Sequence, residues 1–447
     1  MSAHRAGPPP TRRPARRPSR RPDQASRSHG DTHGHAHSHS HSHSHGPAPR
    51  SSNRVRLVLA ALLVPALLAT VVGLVLFWPH DAPARGSIDT TADTAGKVYG
   101  TVVGPIEDTN LVPVLLDDTD ELITVHMPPE YMETGVGTGD TMKILHIPQA
   151  AASGSEYVFM DFVRDVPISI LAIAYAVVVL AVARWRGLAA LAGLVISFGV
   201  VVLFTLPALL VGTNAIAVAL LTSTTVMFVV LYLAHGFNAR TSTALLGTLL
   251  GLVITALLAG WAVDAANILG LADEYSLMLP AYAPEVNIRG VILCGIVLAG
   301  LGVLNDVTIT QASAVWELRA VSPEMSRYEL FTRSMRIGRD HIASTVYTIA
   351  FAYLGAALPM LLMVSLIDMG LGETLTSGEI AEEVVRTLVG SIGLVLAIPI
   401  TTAIAAAAVG GHGTLAAPAV EQPSKPQVGP PSEAELEVAS ALQEPHR

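Results

Sequence analysis

The sequence predicts a mostly α-helical, polytopic membrane bundle of about eight spans, joined to a small extracytoplasmic β-rich, barrel-like domain. Three observations carry this. Of 447 residues, 51% are hydrophobic and only 14% are charged, against about 25% charged in a typical soluble domain. The apolar residues gather into long runs free of charge, and the basic residues fall at alternate ends of those runs. The net charge of −9 hides this segregation, because eleven arginines lie in the first 56 positions and the chain has only three lysines, Lys97, Lys143 and Lys425. Residue usage rich in Arg, Ala, Gly and Pro points to a GC-rich bacterial genome. The single cysteine, Cys294, excludes a disulfide framework within the chain and a cysteine-based zinc site.

Residues 1–56 form a leader of Arg, Pro, Ser, Gly and His, with almost nothing to bury against its ordering entropy, and are expected to be disordered in the cytoplasm. Residues 57–78, LVLAALLVPALLATVVGLVLFW, contain no charge and are long enough to cross a hydrocarbon core of about 30 Å. Ala82-Pro83-Ala84 faintly resembles a signal-peptide cleavage site. The run is too long for a secretory signal core, so an uncleaved anchor is expected.

Residues 79–165 change character. KVYGTVVGPI, LVPVLL, ELITVHMPP, TMKILHI and EYVFMDFVR are short, rich in β-branched residues, partly alternating, and separated by Pro, Gly and acidic turns. Five strands in so short a stretch predict a small barrel or sandwich, for which an oligonucleotide-binding-like barrel is the natural form. Gly137-Thr138-Gly139-Asp140 matches the GxGD pattern of intramembrane aspartyl proteases, but its place in this domain makes it a turn.

A seven-helix bundle is expected over 166–410, with spans near 166–183, 187–211, 214–234, 242–263, 288–313, 342–366 and 385–409. Residues 411–447 are Pro-, Glu- and Ala-rich and read as a disordered cytoplasmic tail. Lys and Arg in the loops orient the whole. The 79–165 domain carries four basic against fifteen acidic residues and belongs outside. RWRG at 184–187, HGFNAR at 235–240 and the five arginines of 314–341 belong inside, while 264–287 and 367–384 hold no base. Both termini are therefore expected in the cytoplasm, in a multi-pass protein of a bacterial plasma membrane.

Two places could carry function. In the sixth span, LGVLNDVTITQAS sets Asn305 and Asp306 in apolar surroundings, followed by Thr308, Thr310, Gln311 and Ser313. On a helical projection Gly295, Ala299, Gly302, Asp306, Thr310 and Ser313 fall within about 80° of one another. Such a stripe is expected to let another helix approach closely and to hydrogen-bond across the contact. An intramembrane carboxylate is costly and marks a pathway, an ion site or a polar clamp. The clamp alternative would satisfy Asn305 and Asp306 from Thr222, Ser223, Thr224 or Thr225. His235 and Asn238, in LYLAHGFNAR, lie at the same cytoplasmic depth. There His235 could exchange a proton with a carboxylate or simply end its helix before Gly236. LPALL at 206–210 and LPMLL at 358–362 place prolines where transporter helices are commonly broken. Ser322-Pro323-Glu324 reads as the start of a short helix whose arginines face the inner leaflet.

The second place is HGHAHSHSHSHSHG. Its His35, His37, His39, His41, His43 and His45 could bind a divalent metal in a flexible chain, or be no more than a repeat expansion. The sequence contains no GxSxG, HExxH or GxxxxGK[ST] pattern, so no enzyme and no nucleotide-driven pump is expected.

YLAHGFNARTSTALLGT, GLGVLNDVTITQASAVWEL and SMRIGRDHIASTVYTIAFAYLGAALPMLL resemble the YibE/F-like family of bacterial integral membrane proteins, over roughly 97–410. The resemblance implies a polytopic plasma-membrane protein for which transport is the usual supposition. It makes His235, Asn238, Asn305, Asp306, Gln311, Arg339, Asp340 and His341 motif members without assigning them roles. The expected function is a secondary transporter or permease for a small solute or ion, with its polar site around Asn305 and Asp306. A non-transporting membrane scaffold or sensor is the alternative. The expected surroundings are the lipid bilayer, without nucleic acid, and with room for a homo-oligomer.

Overall fold

A computed structural model describes residues 51–84, 86, 95–104, 110–133, 135–153, 156–271 and 274–409. The His tract, most of the leader and the tail lie outside the described residues. Helix α1, Asn53–Leu76, begins four residues before the expected span, because the Ser52 hydroxyl caps it by accepting from the Val55 N–H at 3.4 Å. It is docked, not free. Thr70 donates to Thr224 Oγ1 at 3.2 Å, Gly73 lies against Leu221, and Leu59 and Leu63 are buried.

All five expected strands form: β1 Gly96–Val102, β2 Leu111–Leu116, β3 Leu122–His126, β4 Thr141–His146 and β5 Tyr157–Phe162. They close into a barrel in the order β1-β2-β3-β5-β4, antiparallel except where β3 meets β5. The short α2, Pro129–Glu133, lies between β3 and β4. Alternation in sequence becomes alternation in space. Val112, Val114 and Leu116 of β2, Val125 of β3, and Met142 and Ile144 of β4 fill one core with Met127 and Phe159. Gly137 to Asp140 is a turn, in which Asp140 Oδ2 accepts from the Gly137 N–H at 2.8 Å and Gly139 sits at φ 99°.

The remainder is helical. Helix α3, Asp165–Val200, continues through a π-helical turn, Val201–Thr205, into α4, Leu206–Leu210. Inside α3, Arg184 has φ 53° and ψ −128°. Gly187 comes against the carbonyl of Val179, eight residues earlier. In a straight helix those positions lie about 12 Å apart, so the chain folds back at Arg184, where the sequence placed an inner turn. Next come α5 Ala215–His235, α6 Ala239–Ala265, α7 Glu274–Tyr282 and α8 Ile288–Val321. They are followed by α9 Arg327–Ala356, α10 Leu358–Ser365, α11 Leu371–Thr376 and α12 Gly378–Ala408. Among the described residues, six helices are long and apolar enough to cross a membrane, or seven when α9 and α10, bent by 67°, are taken as one.

Two expectations change here. The 322–324 segment does not start a helix: Ser322 ends α8, and α9 starts at Arg327 behind the Ser326 cap. The cause is Arg319. It is 1% exposed, and its Nη1 donates to the carbonyls of Pro323 and Met325, each at 2.7 Å, which fixes this stretch as a tight turn. The arginine-rich segment and the span after it are then one continuous 30-residue helix.

The centre of the bundle is α6, α8 and α12, packed through glycine. A Cβ at Gly251 would stand 3.0 Å from Leu304 and 3.2 Å from Ala397, Gly247 lies against Thr401, and Gly393 lies against Thr255. Hydroxyls join the helices: Thr248 to Thr308 at 2.6 Å and Thr205 to Thr222 at 2.7 Å. The first of these contacts ties α6 to α8 within the closely packed three-helix centre.

Candidate functional site

Helix α8 carries two opposite faces. Val297, Gly300, Leu304, Thr308, Gln311 and Val315 are buried against the bundle. Ala299, Gly302, Asp306 and Thr310 lie on the other side and are exposed. Gly295 and Gly302 have no atom within 4 Å of where a Cβ would stand. The small-residue stripe is therefore not the packing face, contrary to the expectation from spacing. Close approach is supplied by Gly247 and Gly251 of α6 and Gly393 of α12 instead.

The polar residues of LGVLNDVTITQAS separate accordingly. Asp306 has a side chain 69% exposed, and its Oδ2 stands 3.8 Å from Nε2 of His341 on α9, whose side chain is 31% exposed. That separation is beyond a hydrogen bond, and His341 Nε2 is buried without a partner. Asn305 is half-buried, and its Oδ1 is likewise buried and unpartnered. Asp306 and His341 thus face each other where α8 meets α9 with no direct hydrogen bond between them, a gap that water or a cation could bridge. Thr310 is exposed one turn further along.

Gln311 is engaged elsewhere. It is 3% exposed, its Nε2 donates to the Ser334 carbonyl at 2.9 Å, and Gly338 packs over its amide. It clamps α8 to α9. The hydroxyls of α5 do not reach Asn305 or Asp306, since Thr222 pairs with Thr205 and Thr224 accepts from Thr70.

His235 and Asn238 form a separate place. Asn238 caps α6, its Oδ1 accepting from the Thr241 N–H at 2.9 Å while its Nδ2 donates to the His235 carbonyl at 2.9 Å. Gly236 at φ 75° ends α5 in the left-handed region, where glycine carries no Cβ strain. The exposed His235 lies within electrostatic reach of Arg240 and Arg186, not of Asp306. The shared depth read from sequence is thus divided between two sides of the bundle.

His341 is the partner that the α8 segment alone could not reveal. It occurs in the third quoted motif, thirty-five positions after Asp306, and only the antiparallel packing of α9 on α8 joins them. The prolines act as expected in part: Pro207 follows the π-helical turn, and Leu358-Pro359 follows the 67° bend. Among the described residues, no group of three or more His, Cys, Asp or Glu is placed to hold a metal ion.

No curated protein and no solved structure matches the chain. The family described as YibE/F-like protein matches residues 171–411. The match takes in all but the first six residues of α3 and everything on to α12, and leaves α1 and the barrel outside, although the sequence resemblance extended back to about 97. It covers more than half of the chain, and the protein belongs to the YibE/F-like family.

Proposed function

We propose that this protein is a multi-pass permease for a small solute or ion in the bacterial plasma membrane. Its polar path follows the α8–α9 flank past Asp306 and His341, outside the packed α6–α8–α12 centre. The carrying observation is the Asp306–His341 junction, where a carboxylate and an imidazole stand 3.8 Å apart without closing on one another, with the unpartnered amide oxygen of Asn305 on the adjoining residue. A cation, including a proton, is the cargo that chemistry favours, since a carboxylate attracts positive charge and Asp and His side chains within helices of this kind mark ion and proton paths.

Eight spans suit this reading. The fold-back at Arg184 divides Asp165–Leu210, whose 46 residues would extend about 69 Å if straight, more than twice a bilayer core. With α9 and α10 as one broken span, the loop arginines then fall on one side and the barrel on the other. Three basic residues stand near the helix ends that this reading sets outside, and each is paired: Arg164 with Asp161 at 2.7 Å, Arg289 with Asp264 at 3.2 Å, and Arg386 with Glu383.

The test is flux into vesicles holding the reconstituted protein, read with pH- and ion-sensitive dyes. Asp306→Asn and His341→Gln are each expected to cut flux at least about tenfold while the melting temperature holds, because Asp306 is exposed and supports no packing. Unchanged flux in a well-folded Asp306→Asn variant removes this junction from the mechanism.

The close packing of the three-helix centre favours a second reading, a scaffold or sensor whose barrel binds a partner outside the cell. Wild-type vesicles that pass no cation or solute, together with a barrel-dependent partner, would establish that reading in place of the first.

A further inference from the structure

A crevice of about 940 Å³ lies between α1 and α5, on the other side of the bundle from Asp306, and closes at its base on the first turn of α6 and Trp316 of α8. Its two ends differ in chemistry. Along its length it is walled by Leu59, Leu63 and Leu67 of α1 and by Phe228 and Leu233 of α5. At its base stand Ser51, Arg56, Asn238, Arg240 and Ser242. From Arg56 to Leu67 is eleven residues, about 16 Å of helix, which is half of a hydrocarbon core of about 30 Å. The crevice is therefore about one leaflet deep.

Its walls open toward the surroundings of the bundle, since Ala60, Val64 and Leu67 of α1 and Leu233 of α5 remain exposed. The base is cationic. Arg240 Nε is buried with no hydrogen-bond partner, and the nearest acid, Glu317, stands 4.0 Å from Nη1 with its own side chain 62% exposed. Arg56 is oriented by its Nε, which donates to Ser51 at 3.2 Å. The start of α6 adds backbone N–H groups and the positive end of its dipole at the same level.

We propose that this crevice binds one anionic phospholipid of the inner leaflet, its phosphate held between Arg56 and Arg240 and one acyl chain laid along the α1–α5 walls. A free phosphate would match the base alone and leave the leaflet-deep apolar slot without purpose. A zwitterionic lipid would match the slot and bring its own cation against two arginines. The anionic lipid satisfies both ends, and it would fasten α1, which lies outside the family match, to the bundle within it. The proposal rests on α1 crossing the membrane and not on the Asp306 pathway, so its failure would leave the flux prediction untouched.

Native mass spectrometry of the full chain in detergent provides the test, with phosphatidylglycerol, phosphatidylcholine and inorganic phosphate as probes. Wild type is expected to retain phosphatidylglycerol over phosphatidylcholine. Arg240→Gln and Arg56→Gln should each weaken phosphatidylglycerol about fivefold, the effect of one arginine at a charged lipid surface. Val64→Trp, at a position 50% exposed, should fill the slot and displace the lipid without lowering the melting temperature. Equal retention of the two lipids by wild type overturns the proposal, as does undiminished phosphatidylglycerol binding in both arginine variants. Full competition by inorganic phosphate with no effect of Val64→Trp would overturn it in favour of a phosphate site.

Discussion

Gly300 and Gly302 stand two residues apart on α8, as do Thr308 and Thr310, and the members of each pair lead opposite lives. Gly300 is buried, with Thr255 3.7 Å from where its Cβ would stand, while Gly302 faces open space. Thr308 is fully buried and paired with Thr248 at 2.6 Å, while Thr310 is exposed. Two residues rotate a helix by about 200°, so a step of two exchanges the packed face for the open one. Identical residue types therefore perform structural work on one face and leave the other free for solvent, ligand or a partner.

Several substitutions test that contrast. The largest effect is expected at the glycines. Gly247→Val would drive a side chain into Thr401 and should cost about 1–3 kcal/mol or more, seen as a large drop in melting temperature in detergent. Gly302→Val should stay within about 0.5 kcal/mol. A comparable drop for both would mean that Gly302 is covered in the native assembly, so that the open face is a contact between copies.

The threonines should show the same division on a smaller scale. Thr308→Val removes one interhelical hydrogen bond, worth about 0.5–1.5 kcal/mol, because Thr248 keeps the Ala244 carbonyl as an acceptor at 3.0 Å. Thr310→Val should be neutral. A double-mutant cycle between Thr248 and Thr308 is expected to return about 0.6 kcal/mol of coupling, the common value for such pairs in membranes. No coupling would show that this contact is not made.

The smallest effect lies in the barrel. A hydrogen bond from Arg164, 2.7 Å away, holds the Asp161 carboxyl below its ordinary value, helped by the Phe162 N–H. A carboxyl whose folded pKa is depressed adds stability above its unfolded value, near 4. That stability is lost as the pH falls through the depressed value. With the side chain 53% exposed the gain is slight. An NMR titration of Asp161 in Arg164→Ala, compared with wild type, should show the carboxyl moving up. An unmoved titration would mean the pair is not formed in solution.

Much of the architecture was legible in the sequence. The five strands were, because a barrel has one wet and one dry face and alternation records the difference residue by residue. The apolar helices were, because a bilayer demands about twenty apolar residues in a row, although the described residues show six such helices, or seven with the bent pair as one, against the eight expected. The turn at Arg184 was, because the arginines of RWRG interrupt the apolar run. The start of α9 was misplaced because Arg319 folds back onto the Pro323 carbonyl, a contact that no local pattern announces. Gln311 looked like a site residue and is a helix clamp, while His341 had to be brought from another helix before it could count as one.

By itself the sequence determined that the chain is mostly helical with several helices apolar enough to cross a membrane, that a small barrel precedes the bundle, and which segments carry the family resemblance. Only the tertiary structure decided which side of α8 meets protein. The reason is physical: lipid tails are as apolar as leucine, so burial in the bilayer and burial in the bundle select the same residues, and hydropathy cannot separate them. Small and polar residues are ambiguous in the same way, since they suit both a tight helix contact and an open path. Packing against α6, α9 and α12 resolves that ambiguity by turning Thr308 and Gln311 inward and leaving Asp306 beside His341 on the open flank.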